Sequence, residues 1–438
     1  MHRNPTVWIC DAWCAHEILD KRAGIYASRP RMVVFGELST GQSNLVSMRT
    51  RTPAERDVWR AHRKLTHLGV GIQAVRKYRD LQNNESKLVA LDLASEPEEY
   101  VKHFERYATS VVSIIAFGRR VKSYLDPIVT EVIAVMHLAA DLNVPGKTFP
   151  MLMETFPSES LSLYIQPEKS SNQQTQTTVL AKVPRSLRKY APWMKRAGSR
   201  GQKGGHYFFY ALAKEANDKP DHDDSYVKTL FREREKYNLS HEEISSLTGN
   251  LFGAGSDTSS STLITFVLAC CAFPEALTRA WEELDRVVGP HRSPHFDDEP
   301  HMPYVAAFVK EVLRWRSVAI IGGQPHSPTQ DDYYKGYLLP KDSWVQGNVW
   351  AIHRNEREFP DPDRFLPERY LEDSEFKRPF PGERGYMTFG WGRRVCSGQA
   401  LAEQGTWITV ARVLWGFKIS KAKDENGVEI PVDIFAYT

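Results

Sequence analysis

Cysteine, charge of one dominant sign and long apolar runs are all scarce in this 438-residue sequence. The five cysteines are Cys10, Cys14, Cys270, Cys271 and Cys396. They are too few and too unevenly spaced for a disulfide framework, and they suit a reducing compartment in which a solitary thiol is kept for chemistry. Cys10 and Cys14 have no further Cys or His at ligand spacing, which argues against a structural zinc site. Cys270 and Cys271 lie in the apolar run Val267–Phe273 and read as buried, inert thiols. A formal net charge of +3 leaves no concentrated basic face, so no nucleic-acid partner is expected. A local basic patch for an acidic protein partner stays open. No segment reaches the roughly 18 consecutive apolar residues of a membrane span. The start, Met1-His2-Arg3-Asn4-Pro5, also lacks the apolar core of a signal peptide. Taken as written, the chain reads as soluble.

With 41% apolar residues, the chain has material for a large core. Its length allows two or three domains or one large helical domain. The opening stretch predicts strand, helix, strand at Val7–Ile9, Ala15–Lys21 and Met32–Phe35. Helical spacing of apolar residues follows over Pro53–Tyr78, Glu98–Phe117 and Asp126–Ala140. Segment 155–180, rich in Ser, Thr and Gln, has no sustained period and is expected to be a disordered insertion. Helical signals resume over Gly205–Ala216. Ser240 with Glu243 then forms a capping box for a long helix reaching Leu268. Gly249, Gly253 and Gly255 sit inside that helix, each costing about 1 kcal/mol relative to Ala. Something must approach the backbone closely there. A further helix over Pro303–Val318 precedes strand-like pieces at Tyr337–Leu339 and Ser343–Val345. An irregular Pro- and Arg-rich stretch covers His353–Gly385, a helix covers Leu401–Leu414, and Phe417–Ile419 reads as a final strand. Helix dominates, and no internal repeat is present.

The strongest local signal is Phe389-Gly390-Trp391-Gly392-Arg393-Arg394-Val395-Cys396-Ser397-Gly398, followed directly by a helix. Glycines before the Cys permit left-handed backbone angles, so the loop can turn sharply and leave room for a flat ligand. Gly398 would let the helix pack against such a ligand. A thiolate at a helix N-terminus is stabilised by unpaired backbone N–H groups and the helix dipole. Those donors also moderate how strongly sulfur donates electrons to a metal. A buried structural Cys in a Gly-rich turn would explain an arbitrary cysteine. The ordering Phe, Gly, Arg, Cys, Gly at this spacing is hard to reach by chance.

That stretch resembles the haem-binding loop of the cytochrome P450 family, Phe-x-x-Gly-x-Arg-x-Cys-x-Gly, at every fixed position. The resemblance implies haem (heme b) as cofactor and the Cys396 thiolate as axial iron ligand. It also implies a propionate contact from Arg394 and a place beside the sulfur for Phe389. Other stretches carry the same likeness. Ala254-Gly255-Ser256-Asp257-Thr258-Ser259 resembles the family's oxygen-activating segment, in which Asp257 and Thr258 would deliver protons into a dry pocket and the glycines would make room for dioxygen. A helix bend held by Ser and Thr bonding back to the backbone explains the same residues, and both readings are compatible. Trp59 and Arg63 match Trp-x-x-x-Arg, whose members contact haem propionates, and His326 falls where the family places another propionate ligand. Near Pro325, His326 also fits a plain turn residue. Glu311, Arg314 and Arg369 match a structural triad with no catalytic role.

The resemblance implies a mainly α fold with small β-sheets around a buried haem, residues 1–438 forming a single monooxygenase domain. It implies insertion of one oxygen atom from O2 into a small apolar substrate, with electrons from an NADPH-dependent flavoprotein reductase. Arg393 is a candidate for docking that partner. The Ala-Gly-Ser-Asp-Thr, Trp-Ala-Ile-His-Arg and Tyr26-Ala27-Ser28-Arg29-Pro30 segments are similar to those of fungal microsomal members that tailor secondary metabolites. Endoplasmic reticulum membrane association would follow, although the anchor, hinge and opening helix are expected to be missing, as are the final strands. Ser317 also departs from the family, replacing a usual Pro. A haem-thiolate isomerase or dehydratase, and an inactive truncated remnant, are the alternatives. The Asp257-Thr258 pair speaks against the former.

Overall fold

The computed structural model describes residues 5–32, 36, 42–130, 133, 209–219 and 224–436. Strand β1 (Thr6–Ile9) opens the described chain. Asp11 then caps a short helical segment by accepting the Cys14 N–H at 2.7 Å. That segment runs as α-helix over Ala12–Ala15 and as π-helix over His16–Lys21, three residues earlier in its start than the sequence predicts. Met32 is not in a strand, and the rest of the strand expected there lies outside the described residues.

Helix α1 (Pro53–Val70) starts at a capping box between Thr52 and Glu55, with Pro at its first turn. The single helix expected over Pro53–Tyr78 breaks at Gly71, whose extended backbone brings the position where a Cβ would stand to 2.6 Å from the His67 carbonyl oxygen. Helices α2 (Arg79–Ser95) and α3 (Tyr100–Phe117) follow. Gly118, at φ 67°, ends α3 in the left-handed conformation that favours glycine. Of the helix predicted over 126–140, residues 127–130 are helical and most of the remainder lies outside the described residues, as does segment 155–180. Residues 209–218 are helical, as expected.

The centre of the fold is α4 (His241–Ala272), 32 residues long and capped by Ser240 and Glu243. It packs along α3, because apolar residues on several of its faces meet neighbours on more than one side. Pro274 begins α5 (Pro274–Val287), bent 106° from α4. Among the described residues no single helix is long and apolar enough to cross a membrane, although this bent pair passes on length and composition. Helix α6 (Pro303–Trp315) ends three residues before the expected Val318. Strands β2 (Asp332–Tyr334) and β3 (Tyr337–Leu339) form a hairpin, its turn made by Lys335 at φ 48° and Gly336 at φ 84°. Strand β4 (Trp344–Gly347) pairs in parallel with β1, from Thr6 opposite Trp344 to Ile9 opposite Gly347. Helix α7 (Gln399–Gly416) closes the core. Phe417–Ile419 is irregular rather than a strand, since no neighbouring strand pairs with it among the described residues.

Glu311 and Arg314, one turn apart on α6, are fully buried and doubly bonded at 2.7 and 2.8 Å. Arg369 adds a third contact, Nε to Glu311 Oε1 at 3.3 Å. The two guanidinium groups then donate to the carbonyls of His353, Pro360, Asp361 and Pro362. A chain with few regular hydrogen bonds of its own is thereby pinned beneath the Cys396 loop.

Candidate functional site

A cavity of about 330 Å³ runs between α3, α4 and the loop before α7, and Cys396 lines it. The loop is built as its glycines require. Gly390 and Gly392 adopt φ 76° and 51°, and the Cys396 N–H donates to the Phe389 carbonyl at 2.9 Å. No room exists for a side chain at Gly392, where a Cβ would stand 2.4 Å from the Leu19 carbonyl oxygen. The Cys396 thiol opens onto the cavity while protein surrounds it on its other sides. Burial pushes its pKa up; the backbone N–H of Gly398, Arg63 and the Gln399 N–H pull it down. A Cβ at Gly398 would meet only the Cys396 sulfur, at 4.0 Å, so this glycine leaves a cradle beside the thiol.

The other residues singled out from sequence gather around the same cavity. Trp59 is buried, and its indole Nε1 has no hydrogen-bond partner among the described residues. The Arg394 guanidinium stacks 4.5 Å from the Trp59 ring centroid. Its nitrogens donate to the carbonyls of Ala27, Leu45 and Met48 at 2.6, 3.1 and 2.6 Å. Arg63 reaches the Cys loop itself, donating to Ser397 Oγ at 2.7 Å and to the Val395 carbonyl at 2.5 Å. His326 is held by paired backbone bonds with Val345 and by Nδ1–H donated to the Tyr26 carbonyl at 2.9 Å. Burial, reinforced by Arg29 and Arg394, holds this imidazole well below the usual histidine range, so it is neutral. Phe389 also lines the cavity.

Thr258 stands on the α4 wall, open to the cavity, and its hydroxyl donates to the Ala254 carbonyl at 2.6 Å. Asp257 is half-buried on the adjoining position of the same helix and does not line the cavity. The hydroxyls of Ser256, Ser260 and Thr262 bond back to the helix in the same way as that of Thr258. The glycines of this segment have a packing reason. A Cβ at Gly249 would stand 2.6 Å from the Phe209 ring, and one at Gly255 only 2.4 Å from Val112 Cγ1. The close approach expected from sequence is real, but the partners are Phe209 and Val112.

Arg29 was singled out from sequence only as part of a familial segment, yet it lines the cavity too. Its sole sequence signal is an Arg before Pro30, which carries no information about burial. Arg29, Arg63 and Arg394 therefore surround one space, and among the described residues none of them has a carboxylate partner. A buried cation such as Arg29 without a counter-charge, and a buried indole N–H without an acceptor, are costly unless an anion arrives. Nor do three His, Cys, Asp or Glu side chains cluster for a metal ion among the described residues. A single thiol, a glycine cradle and cations without counter-charges fit a flat, dianionic metallocofactor such as haem, which brings its own remaining metal ligands.

Comparison with known proteins agrees. The chain is 33% identical over 436 residues to a cytochrome P450 monooxygenase of Armillaria gallica, covering 98% of this chain and 77% of that protein. A cytochrome P450 monooxygenase of Postia placenta is 32% identical, with 94% and 73% covered. One from Clonostachys rogersoniana is 31% identical, with 96% and 73% covered. Among solved structures, a zebrafish cytochrome P450 with progesterone superposes with a TM-score of 0.70 at 22% identity, covering 95% of this chain and 88% of that one. The cytochrome P450 family profile matches residues 1–433, and the chain belongs to that family of haem-thiolate oxidoreductases.

Proposed function

We propose that the protein is a haem-thiolate monooxygenase that inserts one oxygen atom from O2 into an apolar small molecule, with the Cys396 thiolate as axial ligand to the haem iron. The observation that carries this reading is the position of Cys396. Its thiol opens onto a cavity shared with Thr258, ringed by cations that lack counter-charges among the described residues, at the start of α7 where backbone N–H groups stabilise a thiolate. When bound, the haem supplies dioxygen binding and reductive activation. Everything else is left to side chains of this protein. Trp59, Arg63, His326 and Arg394 would hold the propionates, the two guanidinium groups by charge and the Trp59 Nε1–H as a free donor. Phe389 would shield the sulfur. Thr258 keeps its proton on the Ala254 carbonyl, so its oxygen is free to accept a hydrogen bond from water in the cavity. Asp257, beside it and away from the cavity, would pass protons inward. The apolar walls given by Val111, Val112, Leu247 and Leu251 suit a hydrophobic substrate.

Electrons would come from an NADPH-dependent flavoprotein reductase, and the exposed Arg393 beside the Cys loop suits an acidic partner. A role in secondary metabolism at the endoplasmic reticulum membrane would follow from the likeness of the Ala254–Ser259 and Tyr26–Pro30 segments to those of fungal microsomal members; the relatives are fungal cytochrome P450 monooxygenases. The test is the carbon monoxide difference spectrum of the reduced protein. A red-shifted thiolate-type band that disappears in Cys396→Ala is expected. Product formed from a peroxide substrate without NADPH would overturn the monooxygenase reading in favour of an isomerase or dehydratase. A purified chain that takes up no haem would overturn both.

A further inference from the structure

Several guanidinium groups in this protein are nearly fully buried, and they fall into two kinds. Arg314 and Arg369 face Glu311, and Arg106 faces Glu85 at 3.1 Å. Arg29 is equally buried, at 5% exposed, and has no carboxylate among the described residues. Its Nε donates to the Val46 carbonyl at 3.0 Å, and its Nη1 to the carbonyls of Gln324 and Pro325 at 2.6 and 3.1 Å. Those bonds hold the fork against the segment that carries His326. They leave Nη2 without an acceptor among the described residues, on a side chain that lines the cavity.

We propose that Arg29 is a further cofactor-anchoring residue, whose Nη2 side binds a carboxylate of the bound haem and whose charge offsets it. The inference rests on the haem reading of the cavity and adds to it a residue assigned no site role from sequence. Three carbonyl oxygens orient the group but carry no net charge, so the positive charge stays uncompensated. Arg394 and His326 lie close enough for Arg29 to disfavour their protonated forms. Burial pushes Arg29 itself down to about 9, a deprotonating tendency that an anion would reverse. Like charges gathered in a low-dielectric space attract an anion strongly, and a charge-assisted bond from the remaining Nη2–H adds direction.

The experiment uses the haem-loaded protein. Haem transfer to excess apomyoglobin and the Fe(III)/Fe(II) midpoint potential are measured for wild type, Arg29→Gln and Arg29→Lys. Arg29→Gln is expected to release haem about tenfold faster, the loss of one charge-assisted bond. Its midpoint should move to more negative potential, because a lost positive charge disfavours the added electron. Arg29→Lys should keep the wild-type midpoint while releasing haem at an intermediate rate. A purely structural tie to Val46, Gln324 and Pro325 predicts that Gln and Lys shift both readouts alike, which would overturn the proposal. Wild-type release in Arg29→Gln would overturn it as well. Should Arg29→Gln fail to fold, Arg29→Lys decides alone, wild-type release or a displaced midpoint counting against the proposal. A wild-type chain without stoichiometric haem removes the haem reading and this one with it. A haem-replete wild type with unmoved variants removes this one only.

Discussion

The imidazole of His353 accepts the backbone N–H of Met387 through Nε2 at 2.9 Å, while its Nδ1–H points at the Arg314 carbonyl at 3.0 Å. Two residues on from Met387 is Phe389, where the Cys396 loop starts, so a side chain after β4 sets the height of that loop. Only the neutral tautomer protonated at Nδ1 satisfies both bonds. Ser317 joins the same knot, its hydroxyl 3.2 Å from His353 Nδ1 and 3.0 Å from Thr388 Oγ1. The departure from the family's usual Pro therefore places a polar side chain where it bonds to the Cys loop.

This relationship predicts acid sensitivity. Burial first, then the nearby Arg314 charge, pushes His353 from 6.5 down to about 3. The folded state must keep it neutral, whereas the unfolded chain binds a proton below about pH 6.5. Its contribution is thus whole above pH 6.5 and declines as pH falls toward 3, by about 2 kcal/mol at pH 5. Urea unfolding at pH 7.5 and pH 5 is expected to show a smaller loss for His353→Gln than for wild type. Equal losses would sink the assignment. His326, also held neutral by burial, titrates in the same direction, so some slope will persist.

Gly255 predicts a packing effect. Val112 is β-branched and stiff, so a methyl at 2.4 Å from its Cγ1 must move backbone. Gly255→Ala should lower stability by about 1–3 kcal/mol, and Val112→Ala in the same chain should recover part of that. Gly416→Ala is the comparison, because among the described residues nothing beyond its own helix backbone lies within 4 Å of its Cβ position. There the change should be neutral or stabilising. Melting temperatures of the three variants decide the matter, and an unaffected Gly255→Ala would contradict the contact.

Removing the charge of Glu311 should be among the most damaging changes to the fold. Glu311→Gln leaves Arg314 and Arg369 buried without a carboxylate, a loss of about 3–5 kcal/mol. Lys236, by contrast, forms an exposed pair with Glu233. Lys236→Ala should leave stability close to that of wild type, because solvent screens an exposed pair. Soluble yield and melting temperature separate the two. Comparable effects would mean that the buried triad contributes no more than a surface pair.

Thr258 predicts a split between binding and turnover. Thr258→Ala should leave the thiolate-type carbon monoxide band intact, since the residue holds no part of the Cys loop. Product formation should fall about 100-fold while NADPH consumption continues, the magnitude of a lost proton-delivery group. Thr258→Ser, which keeps the hydroxyl, should retain most of the coupling. Wild-type product per NADPH in the Ala variant would show that the hydroxyl only bonds back to Ala254.

Capping, turn chemistry and apolar periodicity are local properties, and they were legible. The Ser240–Glu243 capping box and the left-handed glycines of the Cys loop, Gly390 and Gly392, lie where short-range rules put them. Elements that depend on a partner strand or a break were not. Phe417–Ile419 has strand-like composition yet meets no strand among the described residues, and the helix after Pro53 stops at Gly71, whose extended backbone leaves no room for a side chain beside His67 and so suits glycine. Within the candidate site, the Cys396 loop stood out because loop glycines and a lone thiol mark themselves by type and spacing. Arg29 did not, since nothing in a single Arg before a Pro says whether it ends in solvent or in a cavity.

The sequence by itself determined the chemistry on offer: one thiol at a helix start, a hydroxyl and a carboxylate side by side on a long helix, and enough apolar residues to enclose them. Tertiary structure alone decided how those groups are charged and what presses on them. It brought Arg29, Arg63 and Arg394 to one cavity with no carboxylate among the described residues, set Val112 against Gly255 and hung the Cys loop from His353. Burial and unlike neighbours are products of chain segments hundreds of residues apart, and both electrostatic energy and packing depend on distances that only the folded chain possesses.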